Sequence, residues 1–339
     1  MYNKKHNTQS IVEVGIMSAL IIVMFMIVNY VPVIGGLFLF ALPLPITVLF
    51  IKHSYKVSLA AIVVSLILTS VINNPIYALG SAILYGSTGL TIGYCIKNKK
   101  SSTFTIGVQT LVSLVGSIVN YCLTIYLILG TSLYKIIETQ LEAFKESLNL
   151  VKGIYESTGV PVEGNPLFDV MNKLSPNLIL TLIPGFILLL ALVSAYLNYV
   201  VTKSVLKKLR IEVDEIKHFT TWYLDNRLGA LFILVVISGM IMASYDMTIG
   251  HYIFNSSIIL FQFIMIIIGM AVVTYYLRKK FNLNKGIVIA ILVFAFINPS
   301  LSQIIFLIGI GDLIFDFRKL DENSLSNALE KLVKKKLKK

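Results

Sequence analysis

The sequence predicts an all-α, polytopic integral membrane protein of about 8–10 transmembrane helices with both termini cytoplasmic, and three observations carry the prediction. The 339-residue chain is 56% hydrophobic and only 14% charged, with a mean hydropathy of +0.83, whereas soluble domains average about 25% charged residues. Its apolar residues fall in uncharged runs of about 20, long enough to cross a bilayer as helix. Of its 29 basic residues, 25 fall in alternate loops or the tail, and only Lys135, Lys145, Lys152 and Lys173 lie on the other side. That segregation is the positive-inside pattern. Alternating strands with aromatic girdles are absent from the sequence, which excludes an outer-membrane barrel.

The first span, Ile11–Tyr30, is too long for a signal-peptide core and has no small-x-small site after it, so no cleavable leader is expected. The stretch VPVIGGLFLFALPLPITVLF, Val31–Phe50, follows. Pro32, Gly35 and Gly36 make a tight uncharged turn, and Pro43 and Pro45 interrupt the expected second span, Leu37–Ile51. Each proline lacks an N–H, so the carbonyls of Leu39 and Ala41 are expected to lose their helical partners. Backbone unpaired at membrane depth must face protein or a wet cavity. The break therefore reads as a kink buried between helices or as part of a binding site.

Val57–Ile72, Ala78–Ile96, Phe104–Leu129 and Asn177–Val201 complete a six-span half over residues 1–201. Its outer segment, 131–176, places Leu133, Ile137, Leu141, Phe144, Leu148, Val151 and Tyr155 at intervals of three and four, one apolar stripe on a helix. Thr131 or Ser132 can cap that helix, and Gly159, Pro161, Gly164 and Pro166 form its return. Residues 202–227 are a cytoplasmic linker whose Phe219, Trp222 and Tyr223 suit the membrane interface. The second half, 228–317, holds Leu228–Tyr245, Tyr252–Leu277, Ile287–Ile297 and Leu301–Phe315. Its last two segments, divided by Asn298-Pro299, are two crossings or a re-entrant pair. Residues 318–339 form a basic cytoplasmic tail with Leu325, Leu329, Leu332 and Leu337 roughly on one face, as in a helix attached to a membrane surface.

No enzyme motif is present: neither a GxxxxGK[ST] loop, nor HExxH, nor a GxSxG elbow. The protein is not expected to be an enzyme, and no cofactor or metal is implied. His6, His53, His218 and His251 lack partners at recognisable spacing, and Cys95 and Cys122 lack ligand or disulfide spacing. The net charge of +12 is absorbed by orientation and by the anionic headgroups of the lipid bilayer, so no nucleic-acid partner is needed. Without a phosphate loop, energy for any transport must come from a gradient or from another subunit.

Polar groups at membrane depth are costly and tend to mark pathways. Asn73 and Asn74, before Pro75, offer uncharged amides on the same side as the Pro32–Gly36 turn. Asn120, Asn198 and Gln262 lie within spans and line a cavity or bond across helices. Pro43, Pro45, Asn73, Asn74 and Asn120 are the substrate-binding candidates. Asp312 in IGIGDLIFDFRK, near Asp316, Arg318 and Lys319, is either an end ion pair or a gating residue. Glu13 in the first turn of its span suits the helix dipole. Gly15-xxx-Ala19 and Gly89-xxx-Gly93 permit close helix approach.

EVGIMSAL, the YVPVIG turn, the LPLP break, FTTWYLDNRLG and GIGDLIFDFRK give nearly the whole chain a resemblance to the YybS-like family of Firmicute membrane proteins, a domain of unknown function. That resemblance implies a multi-pass protein of the bacterial cytoplasmic membrane. The first six spans are more distantly similar to the S-components of energy-coupling-factor vitamin transporters. The likeness implies ATP-hydrolysing and coupling membrane subunits as partners, docked on Gly15 and Ala19. It also implies a solute pocket near Pro32–Gly36 and Asn73–Pro75. The four-span half and the long outer segment depart from that pattern. Two functions follow as expectations. One is a transporter or substrate-binding membrane subunit for a small organic solute; the other is a non-transporting scaffold or regulator acting through its basic tail and outer helix.

Overall fold

The computed structural model describes residues 4–159, 168, 171, 173–321 and 324, with side chains from residue 8 onward. Most of these residues are helical, with no strand among them. Among the described residues, seven helices are long and apolar enough to cross a membrane, or eight if one bent pair counts as a span. The protein is a multi-pass helical membrane protein. Its chain divides into two compact units, Met1–Asn177 with Ile187–Ile216, and Leu178–Phe186 with Lys217–Lys339.

In the first unit α1 (Lys4–Tyr30) is a single long helix, so Glu13 sits in its third turn rather than its first. The expected second span is not one helix. It is α2 (Ile34–Phe38), a turn, and α3 (Leu44–Lys52). Together these return the chain along α1, because His53 Nε2 meets Glu13 Oε2 at 3.0 Å. The proline break is real, but its consequence differs from expectation. Pro43 caps α3 and Pro45 lies in its first turn, where a missing N–H costs nothing. The Ala41 carbonyl does not go unpaired, since it accepts from Leu44 N at 3.0 Å.

Next come α4 (Tyr55–Ile72), α5 (Pro75–Lys97) and α6 (Ser102–Cys122), the last prolonged by a π-helical turn, Leu123–Ile128. Gly89 and Gly93 of α5 receive α3 closely: a Cβ on Gly89 would lie 2.7 Å from the Pro43 carbonyl, and one on Gly93 2.7 Å from Phe50 Cβ. Helix approach of this kind needs glycine. An apolar core of Ile21, Met24, Phe25, Leu42 and Ile46 fills the space between α1 and α3.

Ser132 accepts from Lys135 N and so caps α7 (Leu133–Ser157). Ile137, Leu141 and Leu148 of its stripe are buried, while Leu150 and Ile154 are exposed. The expected return through Pro161, Gly164 and Pro166 lies outside the described residues, as does the leucine face of the tail. Finally α8 (Pro176–Lys208) brings Leu206 against Val48, Ile92 and Ile96 in a second core cluster.

Pro184 interrupts α8 in its second-unit portion. The Gly185 N–H donates to Ser256 Oγ at 3.0 Å, and Ser256 Oγ donates to the Thr181 carbonyl at 3.1 Å. A hydroxyl thus stands in for the direct rung that the proline disturbs. The rest of that unit is α9 (Asn226–Ser244), α10 (Thr248–Lys279), α11 (Lys285–Ile297) and α12 (Pro299–Phe315). Between α11 and α12 the chain bends by 106°. Asn298 Oδ1 accepts from Ser300 N and Leu301 N there, so Asn298 is a helix cap. Gly269 of α10 and Gly309 of α12 bring two backbones together: a Cβ on either would lie 2.0 Å from the opposite carbonyl oxygen, of Ile305 or Met265.

Candidate functional site

The substrate-binding candidates do not converge. Pro43 and Pro45 are buried and pack where Thr47 Oγ1 reaches the Pro43 and Gly89 carbonyls at 3.1 and 3.0 Å. Asn74 is exposed and caps α5 by accepting from Ile76 N at 2.8 Å, while Asn73 ends α4. Gly89 lies fourteen residues beyond Pro75, so the two groups are separated by about 21 Å along α5. Asn120 is nearer Asn74, facing Gly80, and its Oδ1 is buried without a hydrogen-bond partner among the described residues. Gly15 has open space where a Cβ would project, and Ala19 is exposed.

Asp312 is held in the second unit by Arg318, whose Nη2 lies 2.7 Å from Asp312 Oδ2. The same guanidinium donates to the Thr220 and Trp222 carbonyls at 2.8 and 2.6 Å. Asp316 accepts from Leu320 N and Asp321 N, and Asp321 accepts from Asn226 N. These residues form a fastened end to α12. Gln262 is exposed on α10.

More informative polar groups lie inside the first unit. On α6, Ser102, Thr105, Gln109, Ser113 and Gly116 form one buried stripe. Thr88 of α5 meets it, with Thr88 Oγ1 and Ser113 Oγ 3.5 Å apart. Gln109 has 0% exposure, and neither its Oε1 nor its Nε2 has a partner among the described residues. Asn198 of α8, 7% exposed, leaves its Oδ1 equally unpaired. An unsatisfied buried polar group costs about 1–3 kcal/mol. Buried amide atoms in that state, that of Asn120 included, mark positions where water or a solute is to be expected. Asn198 was visible in the sequence as an intramembrane amide. Gln109 was missed, although polar residues at three- and four-residue spacing along α6 were the signal.

At the lysine-rich end of the same unit, a cleft of about 930 Å³ is lined by Lys97, Lys99, Lys100, Lys203, Lys207 and Arg210 together with Glu212, Asp214 and Glu215. Helix geometry places the cations. Lys99 and Arg210 adopt φ of 51° and 58° just past the ends of α5 and α8. In each case the next residue donates back to the helix, Lys100 N to the Cys95 carbonyl and Ile211 N to the Leu206 carbonyl. This is the Schellman closure, a position that favours glycine. Lys203 pairs with Glu215. Lys97 Nζ donates to the Phe50 and His53 carbonyls at 3.2 and 2.8 Å, closing the end of α3.

Asp214 accepts from Ser102 N at 2.7 Å at the start of α6. That backbone N–H, and the Ser102 hydroxyl after it, hold its carboxyl below the usual carboxylate range, with Lys203 adding to the effect. A depressed folded-state value means stability that is complete above the ordinary carboxylate pKa and is lost as pH falls below that value through the lower folded-state one. Thermal unfolding temperature is therefore expected to drop on acidification below pH about 4. In Asp214→Ala that drop becomes shallower. An unchanged pH profile in the variant would refute this role.

The fold and this polar interior define a class, a polytopic membrane protein with buried amides and a cationic cleft in its first unit. Residues 19–313 match the family described as predicted membrane protein, DUF2232, and the chain belongs to it. The protein titled Uncharacterized protein YybS of Bacillus subtilis (strain 168) is 24% identical over 311 residues, which is 92% of this chain and 98% of that protein. No solved structure matches the chain. The further likeness to S-components has no support in these matches.

Proposed function

We propose that the protein is a membrane transport or solute-binding subunit that takes a small polar organic solute into its first unit. The observation that carries this reading is the buried amide of Gln109, both of whose polar atoms lack a partner among the described residues; the Oδ1 of Asn198 is unpaired in the same way. Gln109 lies seven residues inside the start of α6 and Asn198 five residues inside Lys203, about 10 and 8 Å along their helices. The positive-inside pattern supports a cytoplasmic lysine-rich end. The open face at Gly15 and Ala19 supports docking of a partner membrane helix, and an ATP-hydrolysing partner would supply the energy that this chain has no phosphate loop to obtain. The exposed Leu150 and Ile154 of α7 favour the scaffold reading instead, as a partner-binding surface.

The test is native mass spectrometry of the full chain in lipid nanodiscs from its own host. Wild-type protein is expected to carry a reproducible small molecule. Gln109→Met keeps the side-chain volume and removes both polar atoms, so it should unfold at the same or a higher temperature and lose the molecule. A variant that retains the same molecule, or a wild-type protein that carries none, would sink the reading.

A further inference from the structure

A second feature of the first unit lies apart from the buried amides. We infer that the basic cleft between the ends of α5 and α8 is a binding site for a phosphate-bearing group, a phospholipid headgroup or a soluble phosphate ester. Six cations line it against three carboxylates. Two of those carboxylates already have partners, since Glu215 is engaged by Lys203 and Asp214 by the Ser102 N–H. Lys99, Lys100 and Arg210 have no carboxylate within ion-pair distance among the described residues. Basic loops on a membrane protein ordinarily present their charge to solvent as separate side chains. Here cations from two helix ends converge on one concavity, whose volume is that of a small-molecule site.

Backbone conformation reinforces the point. The left-handed positions of Lys99 and Arg210 are ones that glycine fills with less strain, yet both carry long cations into the same cleft. The level also suits the ligand. At 33 residues, α8 is about 50 Å long against a hydrocarbon core of about 30 Å. Lys203 and Lys207 in its last turns therefore reach headgroup depth, where phosphate is the prevalent anion. The lysines bind phosphate as point charges and the arginine in a bidentate fashion.

The experiment uses the full chain in nanodiscs of phosphatidylcholine alone, in nanodiscs containing phosphatidylglycerol, and in phosphatidylcholine nanodiscs titrated with inorganic pyrophosphate. Thermal unfolding is read in all three, and retained phosphatidylglycerol is counted by native mass spectrometry. Lys99→Gly/Arg210→Gly removes two cations while relaxing the backbone. It should unfold in phosphatidylcholine at or above the wild-type temperature and lose at least about tenfold in anion affinity. Lys56→Gln, a basic residue outside the cleft, should match wild type. If the glycine pair fails to fold, Lys99→Asn/Arg210→Asn carries the same test, because asparagine tolerates this conformation. A response to phosphatidylglycerol alone assigns a lipid headgroup; a response to pyrophosphate alone assigns a soluble ligand; a response to both assigns phosphate from either source. No response in either arm overturns the inference. So does a glycine pair that binds like wild type, or a Lys56→Gln loss as large as that of the pair.

Discussion

Arg318→Leu is expected to destabilise the second unit by about 3–5 kcal/mol, the usual cost of removing one partner from a buried ion pair. The Arg318 side chain is 0% exposed and that of Asp312 4% exposed. Losing the guanidinium leaves a carboxylate without its counter-charge and removes donors from the Thr220 and Trp222 carbonyls. The readout is thermal unfolding followed by size-exclusion chromatography in detergent. The double variant Asp312→Leu/Arg318→Leu should recover part of the loss, because no charge then remains buried alone. A single variant as stable as wild type would show that water, rather than Arg318, satisfies Asp312. A gating role for Asp312 would require it to release Arg318.

The second large effect is expected from Gly309→Leu. A Cβ at Gly309 would meet the Met265 carbonyl at 2.0 Å and the Gly269 nitrogen at 3.1 Å. Backbone atoms cannot rotate away as side-chain ends can, so α10 and α12 must separate. We expect a loss of about 3 kcal/mol or more, the upper end for overpacking, and little folded protein at growth temperature. Gly15→Leu is the control: with nothing within 4 Å of its Cβ position, its unfolding temperature should not change. Equal behaviour of the two variants would mean that the close crossing does not form.

Much of the architecture was legible because membrane helices announce themselves by length and hydropathy. α4, α5, α9 and α10 stand within a few residues of the runs that predict them. The LPLP break was legible as a break, though not as a helix start. Whether a proline kinks a helix or opens one depends on where the preceding turn ends, and here that is set by α3 packing on Gly89. Pro184 gave no usable signal, since its stand-in hydroxyl lies 71 residues from Gly185. The polar candidates divide in the same way. Asn298 and Asn74 cap their own helices, a local role open to sequence reasoning. The burial of Gln109 arises from α6 packing on α5, and the convergence of Lys99 with Arg210 from two distant helix ends. The lysines were read as orientation signals because, taken singly along the chain, that is all they show.

The insertion of Ser256 beside Pro184 has a consequence for biogenesis. When α8 leaves the ribosome, the Thr181 carbonyl and Gly185 N–H lack the hydroxyl that joins them in the finished unit. Translation at about 5–20 residues per second separates α8 from Ser256 by roughly 4–14 s. Through that interval the bridge from Gly185 to Thr181 cannot yet be made by the hydroxyl that makes it in the finished unit. The local geometry of α8 around Pro184 is thus completed only when α10, 71 residues further on, brings its serine hydroxyl to that turn.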